Sequence, residues 1–144
     1  MALLYASCVE WSGNGLLICG GSKTGKSDLC LRLLDEGAHL VADDQTIIEN
    51  RSGKLFASCP ERLKGLMEIR GIGIVETPFI EETEISLKLN LQTREKIDRM
   101  PLSRTEIIEG VPLPVFCTDA FEISAVLKIK TYLQILNAQR KVVL

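Results

Sequence analysis

The residues Gly20-Gly21-Ser22-Lys23-Thr24-Gly25-Lys26-Ser27 fit the pattern G-x-x-x-x-G-K-S/T, whose chemistry is the holding of a polyphosphate. Glycines let successive backbone N–H groups turn inward as an anion nest, and the start of a following helix adds about half a positive charge. Lys26 has the reach to meet β and γ phosphates, and Ser27 has the hydroxyl that ligates Mg²⁺. A tight Gly-rich turn with no ligand is the alternative, but a chance match is expected in only about one chain of this length in a few hundred. Two carboxylates, Asp43 and Asp44, follow at a telling distance. A helix of about 11 residues carries the chain roughly 16 Å away, and a five-residue strand returns it by about as much, so both come back beside the loop. That is the end at which parallel α/β sheets bind ligands. Asp43, closing an apolar run, has the place of an acid that holds a metal directly or through water, and Asp44 is placed to take a proton from an attacking hydroxyl. An Asp-Asp pair that merely starts a turn is the competing reading.

The elements that must position these groups follow from periodicity. Leu3 to Trp11 and Leu16 to Cys19 are apolar runs around Ser12-Gly13-Asn14-Gly15, which predicts a hairpin leading into the loop. Leu29, Cys30, Leu33 and Leu34 recur at helical spacing with Gly37 as the stop, so the motif sits between strand and helix. His39 to Ala42 reads as a short strand, with His39 a partly exposed cap at the helix end. Thr46-Ile47-Ile48 and Leu55-Phe56-Ala57 flank Asn50-Arg51-Ser52-Gly53 as a second hairpin. Pro60 to Gly65 opens a short helix, and Ile85, Leu87, Leu89 and Leu91 alternate with polar residues as a half-buried strand. Pro101, Pro112 and Pro114 are expected to break up the next stretch. Asp119 and Glu122 have capping-box spacing ahead of the stripe Ile123, Val126, Ile129, Leu133 and Leu136, a C-terminal helix, although Val126 to Ile129 also fits a strand. The expected fold class is α/β, with strand-rich hairpins and a C-terminal helix.

Composition narrows the field further. The 144 residues, 46% hydrophobic and 25% charged, are expected to form one domain over 1–144. A net charge of −2 and a pI near 5.5 leave no basic field for nucleic acid or anionic lipid. Five cysteines, an odd number without a C-x-x-C pair, are expected to be reduced, and with one histidine they make no standard zinc site. The first thirty residues include Glu10, Lys23 and Lys26 and no long apolar run, so neither a signal peptide nor a membrane span is expected, and the location is expected to be cytoplasmic. A mean hydropathy of +0.16 points to apolar surface covered by another subunit. With His39 alone available, a histidine-dependent nucleophilic triad is a poor reading.

From about Leu4 to Leu127 the sequence resembles the bacterial HPr kinase/phosphorylases, which use ATP to phosphorylate a serine of the phosphocarrier protein HPr. The resemblance is carried by the loop Gly20 to Ser27, by Leu40-Val41-Ala42-Asp43-Asp44 at the family's spacing, and by Glu68-Ile69-Arg70-Gly71-Ile72-Gly73-Ile74. It implies that Lys26 contacts phosphate, that Ser27 and Glu68 attend Mg²⁺, and that Asp44 accepts the serine proton. By pattern alone, Glu68 and Arg70 are equally an ordinary surface pair. The resemblance also implies a P-loop α/β core similar to that of phosphoenolpyruvate carboxykinase, ATP and Mg²⁺ as cofactors, an HPr-like carrier of the phosphotransferase system as partner, and a homo-oligomer such as a hexamer.

Three departures shape the expectation. The family's histidine twenty-one positions before the loop lysine is Tyr5 here. The Gly-rich loop that ends in a phosphate-binding arginine is replaced by Glu76-Thr77-Pro78-Phe79-Ile80-Glu81-Glu82, and the basic Pro-Gly-Arg element by Asp119-Ala120-Phe121-Glu122. A form containing the catalytic domain only is expected. The expected activity is an ATP- and Mg²⁺-dependent protein serine kinase with weak or no phosphorylase activity, its missing charge supplied by Arg70 or by Lys128 or Lys130 of a neighbouring subunit. The rival readings are a nucleotide-sensing module without transfer, and a small-molecule kinase whose lid would draw on Arg94, Arg99 and Arg104.

Overall fold

In the computed structural model, which describes residues 1–143, the strands and helices follow in the order β1 (Ala2–Leu4), β2 (Ser7–Trp11), β3 (Asn14–Cys19), α1 (Lys26–Asp35), β4 (His39–Ala42), β5 (Thr46–Arg51), β6 (Lys54–Ser58), β7 (Leu66–Ile69), β8 (Gly73–Glu76), β9 (Glu82–Leu91), β10 (Arg104–Ile108), β11 (Val111–Thr118) and α2 (Ala125–Leu136). Short 3-10 turns lie at Glu61–Leu63 and Arg94–Lys96. Three hairpins close through two-residue turns in which both residues have positive φ: Ser12-Gly13, Ser52-Gly53 and Glu109-Gly110. Such turns carry the twist that antiparallel strands need, which is why a glycine ends each.

Strand β9 organises the main sheet. Its start, Glu82–Glu84, pairs with β6; Ile85–Asn90 runs parallel to β3; and Lys88–Leu91 runs parallel to β11. On the far side of β3 lie β2 and then β4, each antiparallel to its neighbour, so β4 runs in the direction of β3 with β2 between them. Helix α1 therefore crosses over a strand. Strands β4, β3, β9 and β11 all point their C-terminal ends to one edge.

The sheet buries two cores. On one face Val9, Trp11, Leu16, Ile18, Leu87, Leu89 and Leu91 pack against Leu29, Cys30 and Leu33 of α1 and Ala125, Ile129 and Leu133 of α2. On the other, Cys8, Leu17, Val41 and Ile85 pack against Ile48, Leu55, Ala57, Val111 and Leu113. The alternation of Ile85, Leu87, Leu89 and Leu91 is thus split between the cores, because the β3–β9 register shifts between Gly15 and Leu16. Gly15 sits at that shift, where a Cβ would collide with the Glu84 carbonyl and lie 2.9 Å from a Thr83 methyl. Gly15→Ala is expected to destabilise the fold by about 1–3 kcal/mol, as overpacking against backbone does, read as a lower midpoint in urea unfolding.

Four expectations need correction. Leu3 belongs to a separate strand, β1, which pairs with β5 and not into the first hairpin. Pro112 and Pro114 do not break the chain but lie inside β11. Two residues apart, they turn their missing N–H toward the same edge, and β9 pairs with β11 only from Val115 onward. The C-terminal helix forms, but it starts after Ser124 without a capping box, and Ile123 is fully exposed. Asp119 instead accepts from the backbone N–H groups of Phe121 (2.9 Å) and Arg94 (3.1 Å). His39 caps no helix; its Nδ1 lies 3.0 Å from Glu10 Oε2 across the β2–β4 pair. The outer edge of β4 is covered by the segment after β8, where the Ile80 N–H donates to the Leu40 carbonyl at 2.9 Å and Phe79 bridges to Leu40. Among the described residues no helix is long and apolar enough to cross a membrane.

Candidate active site

The loop Gly20–Gly25 leaves the end of β3 and enters α1 at Lys26. Positive φ at Lys23 (63°) and Gly25 (87°) bends it into a cradle, and the Thr24 hydroxyl holds the turn by donating to the Gly21 carbonyl at 2.8 Å. Gly25 is the N-cap of α1 and no side chain caps that end, so the N–H groups of the first turn remain available to an anion. A cleft of about 920 Å³ opens there, lined by Tyr5, Gly20 to Asp28, Asp44, Glu68, Arg70 and Phe121.

The sequence motifs thus meet. Lys26 Nζ donates to Asp44 Oδ1 at 3.0 Å, with the lysine side chain 15% exposed and the aspartate 69%, so the ion pair runs from the floor of the cleft to its mouth. Ser27 and Glu68 line the same cleft, as does Arg70. The cationic side chains in the lining are Lys23, Lys26 and Arg70, balanced by Asp28, Asp44 and Glu68. Asp28 is already paired with Arg32 at 3.0 Å.

Asp43 is placed differently from Asp44. It is half-buried and absent from the cleft lining; its Oδ1 accepts from the Ser7 hydroxyl at 3.2 Å and its Oδ2 from the Glu68 backbone N–H at 3.1 Å. Burial pushes its carboxyl above the ordinary value, against the lowering by these two donors, and neighbouring Asp44 pushes in the same direction as burial. Set back from the cleft lining and already engaged by two donors, this acid is placed to reach a metal in the cleft through water. Ser27 and Glu68, with Asp43 set just behind them, are hard oxygen donors beside the backbone N–H groups of the loop, a set that fits Mg²⁺, an ion that takes one or two carboxylates and completes its shell with phosphate and water.

Ser7 is the residue that sequence reasoning missed. Fully buried at the start of β2, it donates to Asp43 and accepts from the Asp44 backbone N–H at 3.0 Å. That bond helps hold Asp44 at φ 66°, a left-handed conformation that few side chains adopt unassisted. Its only trace in the sequence is a hydroxyl inside the apolar run Ala6-Ser7-Cys8-Val9. Ser7→Ala should cost about 1–3 kcal/mol, the scale of losing a hydrogen bond to a charged carboxylate together with one to a backbone N–H. The loss should shrink as pH falls: the variant removes a donor to ionised Asp43, whose folded pKa is already raised, and protonation below that pKa makes the donor less important. Denaturant unfolding at neutral and acidic pH measures both.

The remaining expected participants lie elsewhere. Arg94 and Arg99 line a different cavity of about 450 Å³ together with Lys128, and Arg104 bonds to Glu106 at 2.9 Å, so the three arginines build no lid over the loop. Lys128 is paired with Glu122 at 3.2 Å, and Lys130 is exposed on α2. Cys8, Cys30 and Cys59 are buried thiols; burial pushes Cys30 up to about 12, well out of reactive range.

A family model described as the HPr Serine kinase C-terminal domain matches residues 2–117. The chain is 37% identical over 123 residues to a protein of Limosilactobacillus reuteri named HPr kinase/phosphorylase, covering 77% of this chain and 38% of that one. It is 43% identical over 77 residues to one of the same name from Clostridium tetani, covering 54% and 25%. The chain therefore spans well under half the length of these curated relatives. A solved structure titled as the Hpr(Ser) kinase/phosphatase from Coxiella burnetii superposes with a TM-score of 0.85 at 28% identity, over 97% of this chain and 100% of that one.

Proposed function

Because the chain belongs to the HPr serine kinase C-terminal domain family, we propose that it is an ATP- and Mg²⁺-dependent kinase of a serine on an HPr-like phosphocarrier of the phosphotransferase system. The observation that carries this reading is the Lys26–Asp44 ion pair at the mouth of the phosphate cleft. Lys26 leaves Asp44 when a triphosphate offers it a stronger anionic partner, and Asp44 is then a free carboxylate beside the γ-phosphate. The serine oxygen attacks the γ-phosphorus, the bond to the β–γ bridging oxygen breaks, ADP leaves, and the serine proton passes to Asp44. Ser27 and Glu68, with Asp43 acting through water, would hold Mg²⁺, which would supply charge neutralisation for the phosphates. Backbone N–H groups of the loop and the first turn of α1 keep the chain of phosphates in line. The core is read as a P-loop fold similar to phosphoenolpyruvate carboxykinase, acting in the cytoplasm.

In the reverse direction, release of a phosphoserine by inorganic phosphate brings two dianions within a few ångströms of each other, and they repel unless cations lie between them. The cleft lining carries as many acids as bases, and Tyr5 replaces the histidine of the family pattern. Weak or absent phosphorylase activity follows, with the missing charge supplied by this chain's Arg70, which lines the cleft, or by Lys128 or Lys130 of a neighbouring subunit in a homo-oligomer such as a hexamer. The test is incubation with labelled ATP, an HPr-like carrier and a panel of small hydroxyl compounds. Label on a carrier serine supports the reading; label on a small compound, or tight ATP binding without transfer, replaces it with a small-molecule kinase or a nucleotide sensor.

A further inference from the structure

The cleft has two aromatic walls at opposite ends, and the strand order says what each end is for. Across the C-terminal edge of the sheet the sequence of parts is Asp43-Asp44 after β4, the buried Ser7 opening β2, the phosphate loop after β3, and then, beyond β9, the Asp119-Ala120-Phe121 turn after β11. Asp44, Lys26 and Tyr5 mark the reacting end. Phe121 stands on the other side of the loop. Its ring packs on the loop backbone, since a Cβ placed on Gly25 would lie 3.1 Å from a ring carbon, yet the residue is 67% exposed and lines the cleft.

The mounting of that ring is rigid. Asp119 accepts from the Phe121 N–H at 2.9 Å and from the Arg94 N–H at 3.1 Å, tying the turn to the segment after β9. Arg32 of α1 donates to the Ala120 carbonyl, and Ala120 is fully buried. An exposed phenyl face held in place beside a phosphate cradle offers a planar apolar partner the contact that charged neighbours cannot.

Resting on the nucleotide reading above, we infer that Phe121 is the stacking platform for the base of the bound nucleoside triphosphate, so that the nucleotide lies with its base on Phe121, its phosphates along Gly20–Ser27 and its γ-phosphate toward Asp44. Base-on-aromatic stacking needs only a π face and is insensitive to which edge groups the base carries. Asp119 and Glu122, the acidic side chains beside Phe121, are occupied by backbone N–H groups and by Lys128 respectively, so they add no reading of the base edge.

The test compares ATP with inorganic tripolyphosphate, each with Mg²⁺, by calorimetric titration of the wild type, Phe121→Ala and Phe121→Trp. Phe121→Ala should bind ATP roughly tenfold more weakly while tripolyphosphate affinity stays within about twofold, and Phe121→Trp should retain ATP affinity. Unchanged ATP affinity in Phe121→Ala overturns the inference, as does an equal loss for both ligands, which would make the ring a prop for the loop. A wild type that binds ATP no more tightly than tripolyphosphate overturns it while leaving phosphate binding intact. A wild type that binds neither ligand overturns the nucleotide reading itself and this inference with it.

Discussion

Asp44→Asn should slow phosphoryl transfer by about 10²- to 10⁴-fold, the usual contribution of a general base, while nucleotide affinity stays within a few-fold. The asparagine is isosteric and keeps the backbone N–H that Ser7 accepts, so the left-handed turn at this position survives. Its effect on binding should run, if anything, toward tighter association. In the free protein Lys26 is partnered by Asp44, and that bond must open before the lysine can serve a phosphate. Removing the carboxylate charge removes the competitor. The measurement is a nucleotide titration beside a single-turnover transfer assay; loss of binding together with rate would move Asp44 from proton acceptor to metal ligand.

Lys26→Ala should weaken ATP binding by about 10- to 100-fold, the scale of a lost charge-assisted hydrogen bond, and should lower the rate with it. In its proposed role the lysine would contact phosphate in ground and transition states alike, so KM and kcat are both expected to suffer. Folding stability should hardly change. Asp44 is largely exposed and loses a partner that solvent replaces, in the manner of a surface ion pair. Thermal unfolding with and without ATP separates these effects: the variant should melt where the wild type does when free, and gain far less on adding nucleotide. An unaltered nucleotide shift would remove Lys26 from the site.

What could be read in the chain follows the range of the interactions involved. The phosphate loop is legible because its chemistry needs contiguous residues, and the β2–β3 hairpin because its turn and its apolar runs are neighbours. Asp44 is legible because a helix and a short strand have fixed lengths. Ser7 is not, because its link to Asp43 spans 36 residues and depends on β2 lying between β3 and β4, whereas a simple crossover suggests that β3 and β4 are adjacent. Pro112 and Pro114 mislead because proline disfavours a strand only on the edge that must donate, and which edge is free is a property of the assembled sheet. Asp119 misleads for a similar reason: its carboxylate is in reach of two orphan N–H groups from different segments, and these outcompete a helix cap.

The short segment laid along β4 has a consequence for solubility. β4 is an apolar strand, with Leu40, Val41 and Ala42 almost wholly buried, and its outer edge is covered where Phe79 bridges to Leu40 and Ile80 donates to the Leu40 carbonyl. A peeled-back edge of that composition is a template on which another chain can add as a further strand, the first step toward fibrous aggregates. The covering segment carries its own deterrent in Pro78, which cannot donate to an incoming strand. The stretch Thr77 to Glu81 thus acts as a gatekeeper of that edge, and shortening it should reduce the yield of soluble protein before it alters the cleft at the Gly20–Ser27 loop.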